Sequence, residues 1–353
     1  METKLIKLER LEKNEENLKE AVEVLQRGGL VAFPTETVYG LGADGLNSEA
    51  ASKIYQAKGR PSDNPLILHI ADKKDVDRLA TDISEEARKV MDAFWPGPLT
   101  IILKKKEIVP YGTTGGLDTV AIRMPSHPVA QEIIKMSGLA IAAPSANTSG
   151  RPSPTKAEHV LQDLNGKVDM IVDGGEVGIG IESTIVDLSQ ETPMILRPGY
   201  ITKPMLEEVI GEEVQIDKAI LSKEGMNGIR PKAPGMKYKH YAPQGNLVIV
   251  DGQNIEDVTK KINELVEQKI AEGFQVGVIG TDESVKEYSK GIVKSIGSRL
   301  DEVSISMGLY RVLREFDDEG AAYIYSESFG NDDFGQAIMN RLLKAAGYDV
   351  VHV

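Results

Sequence analysis

The sequence predicts an α/β protein of two domains. Three observations carry this. The chain has 353 residues, 41% of them hydrophobic and 27% charged, which is ample for a buried core and more than one domain usually holds. Short apolar runs alternate with amphipathic helical patterns along most of its length. That periodicity is lost between about Asp217 and Gly245 and then resumes in a more regular form.

In chain order, Leu18, Ala21, Val22 and Leu25 mark a helix that Gly28-Gly29 stops. Leu30–Phe33 reads as a buried strand. Pro34-Thr35-Glu36-Thr37-Val38-Tyr39-Gly40-Leu41-Gly42 then reads as a loop rich in hydroxyls and glycines, either a ligand loop at a strand end or an ordinary turn. Asn47 or Ser48 caps a helix carrying Ala51, Ile54, Tyr55 and Lys58. Lys58-Gly59-Arg60-Pro61 follows, then Asn64-Pro65 and a strand over Leu66–Ile70. Two cations held one residue apart by a glycine and prolines suit a preorganised polyanion site. They equally suit a solvated helix C-terminus.

Ser84–Phe94 reads as a helix and Leu99–Leu103 as a strand. Gly112–Gly116 reads as a flexible loop, and Thr119–Met124 as a strand. Arg123 inside that apolar strand requires an anion, either a buried carboxylate or a ligand. A helix over Pro128–Ser137 and a strand over Leu139–Ala143 lead into Pro144-Ser145-Ala146-Asn147-Thr148-Ser149-Gly150. Thr155-Lys156-Ala157-Glu158 has the form of a capping box. Strands are predicted at Met170–Val172, Ser183–Leu188 and Met194–Leu196, and Thr202 caps a helix to Ile210.

Beyond the proline-rich stretch, strands at Leu247–Val250, Val276–Ile279, Ile292–Ser295 and Ala322–Tyr325 alternate with helices near Ile255–Glu272, Ser284–Ser289, Val303–Phe316 and Gln336–Ala346. This is a small, Rossmann-like, doubly wound α/β domain. It has no glycine-rich phosphate fingerprint after its first strand, so a structural or regulatory role is expected. The predicted organisation is a first domain over 1–212, a linker over 213–245 and a second domain over 246–353.

Composition excludes several functions. A net charge of −13 argues against a general nucleic-acid or anionic-membrane binder, leaving at most weak RNA contact. The absence of cysteine excludes disulfides, a thiolate nucleophile and cysteine-ligated metal. The five histidines have no metal-ligand spacing, so no protein metal site is expected. No apolar run approaches about 18 residues and Met1-Glu2-Thr3-Lys4 begins no signal peptide, so a cytoplasmic protein without membrane contact is expected. P-loop, nucleophile-elbow and kinase motifs are absent. Cations and small hydroxyl or amide side chains remain, nearly all at strand-end loops, and they suit a phosphate-bearing ligand together with a small polar molecule.

Pro34–Leu41, the Lys58-x-Arg60-Pro61 segment through Asn64-Pro65-Leu66 to His69, and Pro144-Ser145-Ala146-Asn147-x-Ser149-Gly150 resemble the YrdC/YwlC family of L-threonylcarbamoyladenylate synthases. The resemblance covers about residues 10–210, and the later segment with Lys237-Tyr238-Lys239-His240-Tyr241-Ala242-Pro243 is similar to the family's longer two-domain form. It implies a twisted open mixed sheet around a cleft. The implied reaction joins L-threonine, bicarbonate and ATP, with Mg2+ on the triphosphate, into threonylcarbamoyl-AMP and pyrophosphate. A separate tRNA threonylcarbamoyl transferase complex would use the product to modify the adenosine next to the anticodon.

Carried over by resemblance, Lys58, Arg60, Asn64, Thr119, Ser145, Asn147, Ser153 and Arg197 form the ATP set, with Lys58 and Arg60 as the catalytic cations. Thr35, His69, Arg123, Ala143 (through its backbone) and Ser183 form the threonine set. His69 is a hydrogen-bond partner of threonine or a general base. Pro231–Pro243 is expected to be a lid that brings Tyr238 and Tyr241 to the nucleotide, or else a tether. The alternatives are an RNA-binding module, a threonine/ATP sensor of the same fold, and carbamoyl transfer to another acceptor.

Overall fold

The structure is a computed structural model and describes residues 2–8, 15–220, 231–234, 240–330 and 333–353. Contacts gather the chain into two compact units. One comprises Met1–Ser149, Ser153–Gly178 and Glu182–Lys237; the other comprises Gly150–Pro152, Ile179–Ile181 and Tyr238–Val353.

The strands of the first unit are β1 (Lys4–Lys7), β2 (Val31–Pro34), β3 (Tyr39–Asp44), β4 (Ile67–His69), β5 (Ala80–Thr81), β6 (Leu99–Lys105), β7 (Thr119–Arg123), β8 (Ile141–Ala142), β9 (Met170–Asp173), β10 (Thr184–Asp187), β11 (Met194–Arg197) and β12 (Gln215–Ile216). Its helices are α1 (Glu15–Gln26), α2 (Ser48–Lys58), α3 (Val76–Leu79), α4 (Glu85–Phe94), α5 (Tyr111–Thr114), α6 (Pro128–Ser137), α7 (Ala157–Leu164) and α8 (Lys203–Ile210). The strands form one mixed sheet in the order β1-β9-β2-β3-β8-β4-β7-β6-β10-β11-β12, with β5 on β6.

Alternation along these strands divides the sheet into two faces. Leu66, Leu68 and Ile70, Leu99, Ile101 and Leu103, Val120 and Ile122, and Val186 enter the large core on the back. The front is covered at one end by α1 and α6, whose Leu18, Leu25, Ile133 and Ile134 pack on Val31, Phe33, Ile141, Ala143, Met170 and Val172. Beyond β8 the front carries a small apolar group, Ile67, Ile102, Ala121, Ile185 and Leu196, covered by Ala233.

Several local expectations change. Tyr39–Asp44 is a strand, paired antiparallel with β2 through a tight turn at Pro34↔Tyr39. Its front-face positions are glycines because a Cβ on Gly42 would lie 2.6 Å from the Phe33 ring and 2.9 Å from Ile141. The Thr155 capping box does not form. Helix α7 starts at Ala157 after Lys156, and the Thr155 amide donates to His159 Nδ1 instead. Thr202 precedes α8 without a side-chain cap bond. The Gly112–Gly116 loop contains the turn α5, pinned by Thr113 through its hydroxyl to Gly45 O and its carbonyl to the Leu66 amide. Of Leu139–Ala143 only Ile141–Ala142 pairs. Asn47 caps α2, accepting from the Glu49 and Ala50 amides, and Ser84 caps α4.

The second unit contains β13 (Asn246–Asp251), α9 (Ile255–Ala271), β14 (Val276–Gly280), β15 (Ile292–Ser295), α10 (Glu302–Asp318), β16 (Tyr323–Glu327), α11 (Asp333–Ala345) and β17 (Val350–His352). Its sheet is parallel throughout, in the order β15-β14-β16-β13-β17. The helix expected at Ser284–Ser289 is a single 3-10 turn, Val285–Glu287, and the Ser284 hydroxyl is engaged with Thr281 and Glu327. The short stretches Gly150–Pro152 and Ile179–Ile181 join this unit. Arg314 donates to Pro152 O, Ser306 to Ile179 O, and Arg151 pairs with Asp317.

The two faces of β7 make different demands. Ile122 is fully buried at its centre. Ile122→Ala should destabilise the first unit by about 2–5 kcal/mol and Ile122→Val by about 0.5–1.5 kcal/mol. Denaturant titration followed by fluorescence of the single tryptophan, Trp95, will measure both.

Candidate active site

Helix α2 ends at Gly59, whose left-handed conformation (φ 61°) turns its amide back to Gln56 O and Tyr55 O. The Arg60 amide also bonds Tyr55 O, so the two cations leave the helix in fixed, opposite ways. Lys58 is 2% exposed. Its ammonium lies 2.5 Å from the carbonyl oxygens of both Ser145 and Asn147, and 3.4 Å from Asn147 Oδ1. The Ser149 amide returns a bond to Lys58 O. Lys58 is therefore not a solvated helix end; it ties α2 to the 144–149 loop. Arg60 bends over its own loop, donating to Pro65 O at 3.1 Å and Asn64 O at 3.4 Å.

The 144–149 loop is fixed from both sides. Leu41 donates to Pro144 O, Ala146 to Tyr39 O, and Ala143 to Ile67 O. Ser145 Oγ donates to Asn147 Oδ1 at 2.5 Å. Tyr55 OH anchors Asn64 through its main-chain oxygen, and burial pushes that phenol up to about 12. The Asn64 side-chain oxygen is buried and has no hydrogen-bond partner among the described residues, a condition that calls for a donor from elsewhere.

On the front face, register places His69 of β4 beside Arg123 of β7, and Arg123 beside Thr100 of β6. Thr119 opens β7 across from Lys104. Arg123 is 4% exposed. It pairs with Glu36 at 2.8 Å and donates to Thr37 Oγ1 at 2.9 Å. Burial acts to raise the Glu36 carboxyl, but Arg123 outweighs it and holds the group below the usual carboxylate range. The anion required by Arg123 is thus a buried carboxylate. Thr35 Oγ1 closes the same turn, donating to Val38 O at 2.6 Å.

His69 is buried, its Nδ1 3.1 Å from Ile67 O. A carbonyl only accepts, so the proton sits on Nδ1 and the neutral ring presents Nε2 as acceptor. Burial, then the Arg123 charge, push its pKa down to about 3.

Ser183 shares a 2.8 Å hydroxyl contact with Thr100. Arg197 donates from Nε to Ser183 O at 2.9 Å and from its terminus to Ser183 Oγ at 3.1 Å, with a longer contact to Pro234 O at 3.5 Å. Ser153 Oγ donates to buried Glu182 at 2.5 Å.

Thr35, Lys58, Arg60, Asn64, His69, Thr119, Arg123, Ala143, Ser145, Asn147, Ser153, Ser183 and Arg197 all belong to the first unit. Bonds or register join Lys58 to Ser145 and Asn147, Arg60 to Asn64, His69 to Arg123, and Arg197 to Ser183. Tyr241 belongs to the second unit, its ring 5.2 Å from that of Tyr310. Tyr238 lies outside the described residues. Sequence reading missed Glu36, Thr37, Thr100 and Glu182. Glu36 and Thr37 were legible, since Arg123 needs a carboxylate and the 34–42 run supplies one. Thr100, the polar residue in an otherwise apolar strand, was also a signal. Nothing in the sequence marks Glu182. No helix of the described residues is long and apolar enough to cross a membrane.

Buried cations with fixed hydroxyls and amides at strand ends place this chain among two-unit α/β proteins, a class whose ligand sites lie at such strand ends. A family model described as telomere recombination, covering Sua5, YciO and YrdC, matches residues 23–199, and one described as threonylcarbamoyl-AMP synthase, C-terminal domain, matches residues 201–347. The chain belongs to the threonylcarbamoyl-AMP synthase family. It is 48% identical over 342 residues to the threonylcarbamoyl-AMP synthase of Bacillus subtilis, covering 97% of this chain and 96% of that one. It is 47% identical over 333 residues to that of Pyrococcus abyssi, covering 94% and 95%. The solved structure of P. abyssi Sua5 complexed with L-threonine superposes with a TM-score of 0.93 at 45% identity, covering 99% of this chain and 100% of that one.

His69 binds no proton in the folded state until far below its unfolded pKa of 6.5. The unfolded chain therefore holds more protons below pH 6.5, and stability should fall as pH drops from there toward 3. The expected loss is about 2 kcal/mol by pH 5. Denaturant midpoints between pH 7 and 5 should fall less steeply in His69→Gln than in wild type.

Proposed function

We propose that the chain is an L-threonylcarbamoyladenylate synthase. It makes threonylcarbamoyl-AMP and pyrophosphate from L-threonine, bicarbonate and ATP, in the cytoplasm, for threonylcarbamoyladenosine modification of tRNA by a downstream transferase complex. The observation that carries this reading is the register that sets His69 beside Arg123 and Arg123 beside Thr100, in the same unit as the Lys58 tie to the Ser145 and Asn147 carbonyls and the Arg197 bonds to Ser183.

The chemistry follows from those residues. Threonine's amine, once deprotonated, forms an N–C bond with the carbon of bicarbonate, whose hydroxide leaves with an amine proton as water; with CO2 in its place only the amine proton is lost. A carbamate oxygen then attacks the α-phosphorus, and the bond to the β-phosphate oxygen breaks, releasing pyrophosphate. Both partners are anionic, so neutralising their charge lowers the barrier without a protein nucleophile. Arg60 and Arg197 suit the phosphates. Lys58 acts by holding the Ser145 and Asn147 backbone and by its charge. Asn64, with its unmatched side-chain oxygen, accepts a donor from the nucleotide. Mg2+ would come with the nucleotide, held by its phosphate oxygens.

His69 serves threonine as a hydrogen-bond acceptor through Nε2. A ring with a pKa near 3 is too weak a base to take a proton from an ammonium near neutrality. Arg123, its charge balanced by Glu36, offers threonine's carboxylate its Nε–H donor, which makes no bond among the described residues, and Ser183 offers a hydroxyl. The 231–234 stretch acts as part of a cover, and the full burial of Ala233 on Ile67, Ile102, Ala121, Ile185 and Leu196 supports that role. A cover matters because the carbamate and the mixed anhydride both hydrolyse in water.

Pyrophosphate release should require L-threonine and bicarbonate together; equal release without threonine would refute the assignment. Mass spectrometry of the products gives the same test directly. Arg60→Ala should lower kcat/KM by about 2–4 kcal/mol, roughly 30- to 1000-fold, as for other preorganised charge donors. Turnover within about threefold of wild type, a difference under about 1 kcal/mol, would remove Arg60 from the reaction. Replacing 231–243 with a Gly/Ser segment of equal length should weaken ATP binding and release more AMP per product retained. Unchanged values with both units folded would make the segment a tether.

A further inference from the structure

The second unit has its own ligand geometry. From β13 the chain crosses through α9 to β14, moving one way along the sheet past β16. From β16 it crosses through α11 to β17, moving the other way past β13. Right-handed crossovers put those two helices on opposite faces. Accordingly, Val258, Ile262 and Val266 of α9 pack on Val248, Val250, Val276 and Val278, while α10 packs with α11. The loops leaving the neighbouring strands β13 and β16 therefore part at their C-terminal ends, which is where open α/β sheets bind ligands. A cavity of about 540 Å³ opens there, lined by Asp251, Gln253, Arg299, Ser328, Phe329 and His352, and a second of about 390 Å³ continues past Asn254 to Val258.

One cation at this cavity is held with care. Glu327, at the C-terminal end of β16, is fully buried. One of its oxygens accepts from the Ser284 hydroxyl and from Tyr288 OH at 2.6 Å; the other pairs with Arg299. Arg299 also donates to Ser328 O at 3.1 Å and lies 5.7 Å from the Phe329 ring. A buried carboxylate is costly, and an apolar residue would serve the core as well or better. What Glu327 adds is a fixed guanidinium. Arginine has five N–H groups, and Ser328 and Glu327 engage two of them. The same cavity is lined by the Asp251 carboxylate, 40% exposed and 3.3 Å from His352. Gly252 makes no phosphate cradle: a Cβ there would meet Val353 at 2.8 Å, so the space is taken by the chain itself.

We propose that this crevice is a second small-molecule site, for an organic oxyanion that also carries a hydroxyl or ammonium group. Arg299 takes the oxyanion and Asp251 takes the hydrogen-bond donor. An α-amino acid and a nucleoside monophosphate share that chemistry. The site stands on residues of the second unit alone and does not depend on the reaction assigned to the first.

Hydrogen–deuterium exchange of the full chain, read by mass spectrometry, tests it with L-threonine, AMP and inorganic phosphate as separate probes. One organic probe should slow exchange in peptides covering 251–255 and 297–300, by about tenfold where it is present at about ten times its dissociation constant. Arg299→Gln should abolish that protection. Asp251→Asn, which leaves the Glu327 pair intact, should weaken it strongly even if Arg299→Gln folds poorly. A threonine response identifies an amino-acid site and an AMP response a nucleotide site. Unchanged exchange in these peptides with all three probes overturns the proposal. So does protection that survives in Asp251→Asn, or protection by inorganic phosphate equal to that by the organic probe.

Discussion

A guanidinium buried in a sheet must find a carboxylate, and the Arg123–Glu36 pair is the constraint around which the first unit is arranged. Arg123 ends β7, while Glu36 and Thr37 sit in the turn between β2 and β3. In the sheet order β3-β8-β4-β7, the pair reaches across β8 and β4. It therefore fixes the floor on which His69 and Ala143 stand. Removing either partner would strand a buried charge at a cost of about 3–5 kcal/mol. Burial and then the same charge push the His69 pKa down, so the pair also sets the electrostatics around the imidazole.

The second organising device is the alternation of the strands. The back of β4, β6, β7 and β10 is continuous core, and the front carries His69, Arg123 and Thr100 beside a small apolar group. Each loop that carries a site residue is fastened by main-chain bonds. Lys58, Tyr55 and Arg60 all spend donors on carbonyl oxygens. Such spending is consistent with preorganisation, in which the groups are set before the ligand arrives.

Much of this was legible in the sequence. The core strands and most helices stand within a residue or two of their expected places, because apolar periodicity reports burial directly. Strand β3 was not legible, because its front-face positions are glycines that make room for Phe33 and Ile141, and glycine reads as a turn. The Thr155 capping box failed because His159 took the amide the motif would have used. Among site residues, Arg123 announced its need for an anion, but Lys58 did not announce that its ammonium serves two carbonyls. Local spacing cannot show a bond that spans 87 residues of chain. The crevice of the second unit was hidden for a related reason, since a search for a glycine fingerprint cannot see a switch point defined by strand order.

The second unit includes two strips, Gly150–Pro152 and Ile179–Ile181, made long before the rest of it. Arg314 reaches back 162 residues to Pro152, and Ser306 reaches back 127 to Ile179. Closing loops of that length costs entropy before any contact rewards it. During synthesis the strips leave the ribosome well ahead of α10, which supplies both partners. The strips therefore cannot dock until α10 has been made, and a fragment beginning after the linker would lack the acceptors that Pro152 and Ile179 give Arg314 and Ser306.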